Sequence, residues 1–159
     1  MIRPTTLCAV VALAFVSAPL NAQGHPFESF PGSYEVVRST IPAPDAQIEF
    51  RAVAAGLGIH SVWLHGEADT LYEAHALWGY DPTSGLVTIL EVNSAGVVAT
   101  HVGRFDQTGA LTVERRDEDR GAVLERRRFW WSGGATLEMT LDIFSARDTV
   151  HHEVTLVRR

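Results

Sequence analysis

From residue 56 onward the chain is punctuated by turn signals, roughly one every ten to fourteen residues, and this beat constrains its fold more than any other feature. The signals include Asp81-Pro82-Thr83-Ser84-Gly85, Asn93-Ser94-Ala95-Gly96, Asp106-Gln107-Thr108-Gly109, Asp119-Arg120-Gly121 and Ser132-Gly133-Gly134. Between them lie runs rich in Val, Thr, Leu, Trp, Phe and Tyr, the residues that suit a pleated, half-buried surface. No interval has room for a strand followed by a crossover helix, so consecutive strands must pair antiparallel. A meander of this kind closes most naturally into a barrel, which removes its exposed edges.

Strands are expected at 34–39, 47–55, 59–65, 71–80, 86–93, 97–105, 111–117, 122–131, 135–145 and 149–158, about ten in all. Alternation is cleanest near the end. Leu137, Met139, Leu141 and Ile143 are apolar, with Glu138, Thr140 and Asp142 between them, so one face meets a core and the other water. In the strand at 71–80 the inward set reads Tyr72, Ala74, Ala76, Trp78 and Tyr80; alanines between aromatics leave space inside a barrel. The strand at 97–105 is apolar on both faces and has no readable orientation.

The ends and the composition bound the rest. Arg3 followed by the apolar stretch Leu7–Val16 and by Leu20-Asn21-Ala22 fits a secretory signal covering residues 1–22. That stretch is too short to span a bilayer, and no later apolar run approaches spanning length. Residues 23–33, with Gly24, Pro26, Pro31 and Gly32, read as an irregular or briefly helical lead-in, and 34–159 as one barrel domain. The expected location is therefore outside the cytoplasm. Cys8 is the only cysteine and falls inside the signal, which leaves the exported chain without disulfide or thiolate chemistry. Without Arg3 the chain carries 12 arginines, no lysine and 19 acidic residues, a net charge of −7. Such a charge does not suit nucleic acid or anionic lipid as a default partner.

Two turns echo each other: Gly79-Tyr80-Asp81-Pro82-Thr83-Ser84-Gly85 and Gly103-Arg104-Phe105-Asp106-Gln107-Thr108-Gly109. In each, the Asp side chain can accept from the backbone ahead of it and the closing glycine can take positive φ, as a hairpin requires. With these turns and the strands between them, residues 30–159 resemble uncharacterised bacterial domains with a lipocalin-like (calycin-type) barrel. The resemblance implies an antiparallel barrel with a ligand cavity and brings no catalytic residues. The haem-binding relatives among such barrels open on a glycine-tryptophan-glycine motif; Gly32-Ser33-Tyr34 lacks that tryptophan, so no cofactor is expected.

Three constellations bear on chemistry. The seven histidines form no HExxH pattern; His151 and His152 point to opposite faces, as do His60 and His65, and no close pair on one face is expected. Glu73 and His75 form an acid/base pair only on an outward face. The hairpin from Glu114 to Arg128 is dense in charge. With its turn centred on Arg120-Gly121, Arg116 faces Glu125 and Glu114 faces Arg127 on the solvent side, which sends Leu124, Arg126, Arg128 and Trp130 to the other face. Arg126 and Arg128 beside aromatics at a cavity mouth would suit a carboxylate or phosphate. Trp63, Tyr72, Trp78 and Trp130 are candidates for the wall of a pocket, and the first three are taken as ligand-binding residues.

The sequence thus indicates an all-β, single antiparallel meander barrel that binds a small, partly apolar ligand, with no catalytic signature. The alternatives are a cofactor-independent isomerase or cyclase working in the cavity, and an envelope interaction protein whose barrel is filled.

Overall fold

A computed structural model describes residues 26–41, 45–66 and 71–159. The expected secretory signal and Cys8 lie outside the described residues, as do residues 42–44 between the first two strands. Ten strands follow in order: β1 (Gly32–Ser39), β2 (Gln47–Val53), β3 (Gly58–His65), β4 (Tyr72–Asp81), β5 (Leu86–Asn93), β6 (Val98–Phe105), β7 (Leu111–Arg116), β8 (Val123–Gly133), β9 (Thr136–Phe144) and β10 (Thr149–Arg158). Each pairs antiparallel with its neighbours, and β1 pairs with both β2 and β10, so the sheet closes on itself. Tyr34 sits opposite Arg158 and Val36 opposite Leu156 at this seam. The all-β meander barrel expected from the turn spacing is the fold observed.

The echoed turns work as their residues suggest. Asp81 accepts from the Thr83 amide at 2.9 Å and Asp106 from the Thr108 amide at 2.8 Å. Gly85 and Gly109 close these turns at φ +70 and +81, a region that side-chain-bearing residues rarely adopt. Gly103, within the second motif, serves packing instead. A Cβ there would fall 1.8 Å from the Thr112 carbonyl oxygen and 2.6 Å from Val113 Cα, so the β6 and β7 backbones meet closely only because the residue is glycine.

The meander divides the barrel into two ends. One carries the β2–β3, β4–β5, β6–β7 and β8–β9 connections together with the start of β1 and the end of β10; the other carries the remaining five hairpin connections. At the first end the lead-in forms a turn over residues 26–29, closed by the Phe30 amide donating to the Phe27 carbonyl at 3.0 Å. It drops Phe27 and Phe30 into the barrel, each 2 % exposed. Phe27 meets Trp78 and Phe105 edge-on at 6.4 and 5.9 Å, and Phe30 meets Phe50 and Trp131 at 5.8 Å each. The Tyr34 hydroxyl donates to the Phe30 carbonyl at 2.9 Å, and Arg158 donates to both the Tyr34 oxygen and the Ser29 carbonyl, which pins the lead-in in place. This end is an aromatic plug, and among the described residues no such plug fills the other end, called the open end below.

Two expectations need correction. β6 does have an orientation: Ala99 and His101 are buried inside, whereas Val98 and Val102 are exposed. The register of the charged hairpin differs by one residue. Arg115 faces Glu125, Glu114 faces Arg126 and Val113 faces Arg127, while Arg116 pairs with Val123, leaving Leu124 as an extra residue on β8. This bulge slips the pairing, and because side chains alternate with period two, a one-residue slip exchanges the faces of the whole segment. Glu125, Arg127 and Phe129 therefore point inward; Arg126, Arg128 and Trp130 point outward.

Candidate functional site

The open half of the barrel contains a cavity of about 310 Å³. Its aromatic wall is Trp63, Tyr72 and Trp78, and its aliphatic wall includes Ile48, Met139 and Leu141. Ala74 and Ala76 form part of the lining from β4, and their small side chains are the local reason the space exists. The predicted alternation on β4 is observed, with Ala74, Ala76 and Trp78 buried and His75 and Leu77 exposed. Phe50, Trp78 and Phe129 form the floor, since all three also belong to the aromatic cluster under the plug.

Two charged side chains line this cavity, Glu91 from β5 and Arg127 from β8. Arg127 donates from Nη1 to Glu91 Oε2 at 2.5 Å, from Nη2 to Glu91 Oε1 at 3.3 Å and from Nε to Glu125 Oε1 at 2.5 Å. Behind this pair, His101 Nε2 lies 3.1 Å from Glu125 Oε1 and Arg115 Nη2 lies 3.4 Å from Glu125 Oε2. The four strands β5 to β8 thus build an internal ionic network along one arc of the wall. Burial pushes the Glu125 carboxyl up, but the His101 hydrogen bond and the Arg127 charge outweigh it and hold the group at about 2. Burial alone would lower Arg127, yet Glu91 and Glu125 raise it above its ordinary value, so it stays charged.

Uncharged polar groups complete the lining. Ser61 Oγ accepts from Trp78 Nε1 at 2.9 Å, which satisfies the buried indole. Tyr72 accepts from Asn93 Nδ2 at 3.2 Å and stacks on His65 at 5.0 Å. Burial is the largest influence on the Tyr72 hydroxyl and raises it, so the group remains a donor.

Trp63, Tyr72 and Trp78 therefore come together on one wall, whereas Arg126 and Arg128 do not reach it. Arg126 bonds Glu114 across the outer face at 2.8 Å, and Arg128 lies 3.4 Å from Asp106 and over the Trp130 ring at 5.8 Å. Arg127, Glu91 and the small pair Ala74 and Ala76 are the wall residues that matter beside the aromatics. Sequence reasoning passed over Arg127 and Glu91 because a charged residue in an alternating strand reads as solvent-facing.

Glu73 and His75 lie on the outer face as expected, 2.6 Å apart. His75 Nδ1 is also 3.3 Å from His60 Nε2, so a close histidine pair does exist on one face, contrary to the spacing argument. His75 faces Val62 across the sheet, and His60 is the next outward residue on β3, a diagonal neighbour. Among the described residues no group of three or more His, Cys, Asp and Glu side chains is placed to hold a metal ion. No known protein family matches the sequence, and no curated protein matches it.

Proposed function

We propose that this protein is an exported binder of a small, largely apolar molecule, which enters the barrel through its open end. The observation that carries this reading is the hollow itself. It is lined mainly by apolar side chains, with a few placed polar groups, and its size sits at the lower end of the range for small-molecule sites, roughly 300–1,000 Å³. A barrel filled along its whole length would have bulky residues where Ala74 and Ala76 stand. An isomerase or cyclase would need a free acid or base facing the hollow; the carboxylate on its wall, Glu91, is held bidentate by Arg127, which leaves His65 as the candidate for that role. An anionic ligand was expected on the strength of Arg126 and Arg128, and neither faces the hollow. Export rests on the secretory pattern of residues 1–22, and sequencing the N-terminus of the protein recovered from its own cell envelope checks it.

Native mass spectrometry of that same material tests the binding. A retained adduct of constant mass, in a one-to-one complex, is the expected result. A bare protein mass, together with no saturable change in tryptophan fluorescence on adding neutral apolar probes, overturns the reading.

A further inference from the structure

We infer that the cavity selects an uncharged ligand whose polar end is a hydrogen-bond-accepting oxygen, such as an alcohol, ketone or ester, and rejects both carboxylates and amines. The inference rests on the reading of the open half as a binding site and names the chemistry of what enters it.

The charges on the wall cancel. Arg127 faces the cavity with Glu91, and behind them Arg115 and His101 are paired with Glu125, so along the arc two guanidiniums stand against two carboxylates. An anion that takes the Arg127 guanidinium must displace Glu91, whose side chain is only 12 % exposed, and leave that carboxylate without a partner. If it does not displace Glu91, it lies beside a like charge in a poorly solvated space. A cation meets the same problem with the sign reversed, because every approach to Glu91 is also an approach to Arg127.

A neutral acceptor meets neither obstacle. A guanidinium has five N–H donors, and the three bonds to Glu91 and Glu125 occupy Nε and one hydrogen on each Nη. Two N–H groups are left. The Tyr72 oxygen accepts from Asn93, which leaves its hydroxyl hydrogen to donate, and Ser61 accepts from Trp78 with the same consequence. His65 is the remaining titratable side chain in the lining and is stacked on Tyr72. The lining therefore offers spare donors, while its one carboxylate is engaged.

The test uses four probes on one ten-carbon skeleton, titrated calorimetrically into the purified protein near neutral pH: 1-decanol, 2-decanone, decanoate and decylamine. The neutral pair is expected to bind at least about tenfold more tightly than either ion. In Glu91→Gln, which keeps an acceptor for Arg127 but removes its charge partner, decanoate should gain about tenfold on 1-decanol. Decanoate or decylamine binding as tightly as 1-decanol to the wild type overturns the selection while leaving the binding site in place. An unchanged decanoate-to-decanol ratio in a folded Glu91→Gln variant also overturns it. Binding of none of the four overturns the underlying reading of the cavity and the selection with it. Should Glu91→Gln fail to fold, the wild-type ranking decides alone.

Discussion

The plugged and open halves of this barrel are built on the same ten strands, yet one is solid and the other hollow. At the plugged end aromatic rings from the lead-in, β2, β4 and β8 interlock, and fully buried Val87, Leu111 and Leu137 fill the rest. At the open end the inward positions of β4 include Ala74 and Ala76, and those of β5 and β8 include Glu91, Glu125 and Arg127. The same closed strand order runs through both, although the β1–β2 and β6–β7 ladders lie toward the plugged end. The contents of a barrel are set by side-chain volume and charge at the inward positions, and the sheet itself is indifferent to them.

The plugged half should be where stability resides. Phe30→Ala is expected to cost about 3–5 kcal/mol, because the ring is enclosed by Phe50, Trp78 and Trp131 and its removal leaves a void. Urea denaturation measures this, and a loss under about 1 kcal/mol would mean that the lead-in merely rests on the barrel. In the open half the comparable loss should be electrostatic. Arg127→Met leaves Glu91 unpaired and Glu125 with only His101 and Arg115, and should cost about 3 kcal/mol at neutral pH. Adding Glu91→Gln to that variant should recover part of the loss; an additive double variant would break the assignment of one network.

Acid should act on the open half first. The Glu125 carboxyl is held at about 2 in the folded barrel against an ordinary 4.5, so its contribution is complete above 4.5 and is lost as the pH falls from there toward 2. The loss is on the order of 3 kcal/mol, and Glu125→Gln should flatten this part of the pH–stability curve. A curve of unchanged steepness in that variant would assign acid sensitivity elsewhere.

Two smaller effects sharpen the contrast. Ala76→Leu fills the hollow, so it should abolish binding of 2-decanone while changing stability by no more than about 1 kcal/mol; binding that survives would place the ligand elsewhere. Arg126→Ala with Arg128→Ala should matter least, within about 1 kcal/mol and with no effect on that binding, because both side chains are exposed ion-pair partners on the outer face.

Much of this was readable from the chain. The turn residues delimit nearly every strand, and the alternation on β4 identifies the inward set, including two of the three aromatics of the cavity wall, Tyr72 and Trp78. The Asp81 and Asp106 turns announce hairpins because their side-chain chemistry is local. The rest was hidden for physical reasons. A bulge at Leu124 adds one residue without altering composition, and that one residue decides whether Arg126 or Arg127 faces the interior. Glu91 and Arg127 satisfy each other across strands that are far apart in sequence, so neither shows its partner locally. The plug had no periodicity to betray it, although two phenylalanines in a proline- and glycine-rich lead-in hint at rings that need burial.

Methyl NMR compares the two halves in a single titration. With the alanine, valine, leucine and methionine methyls labelled, 2-decanone should shift Ala74, Ala76 and Met139 saturably and leave Val87, Leu111 and Leu137 in place. Shifts confined to outward residues such as Leu77 and Leu90, or spread evenly through both halves, would contradict a guest held inside the open end.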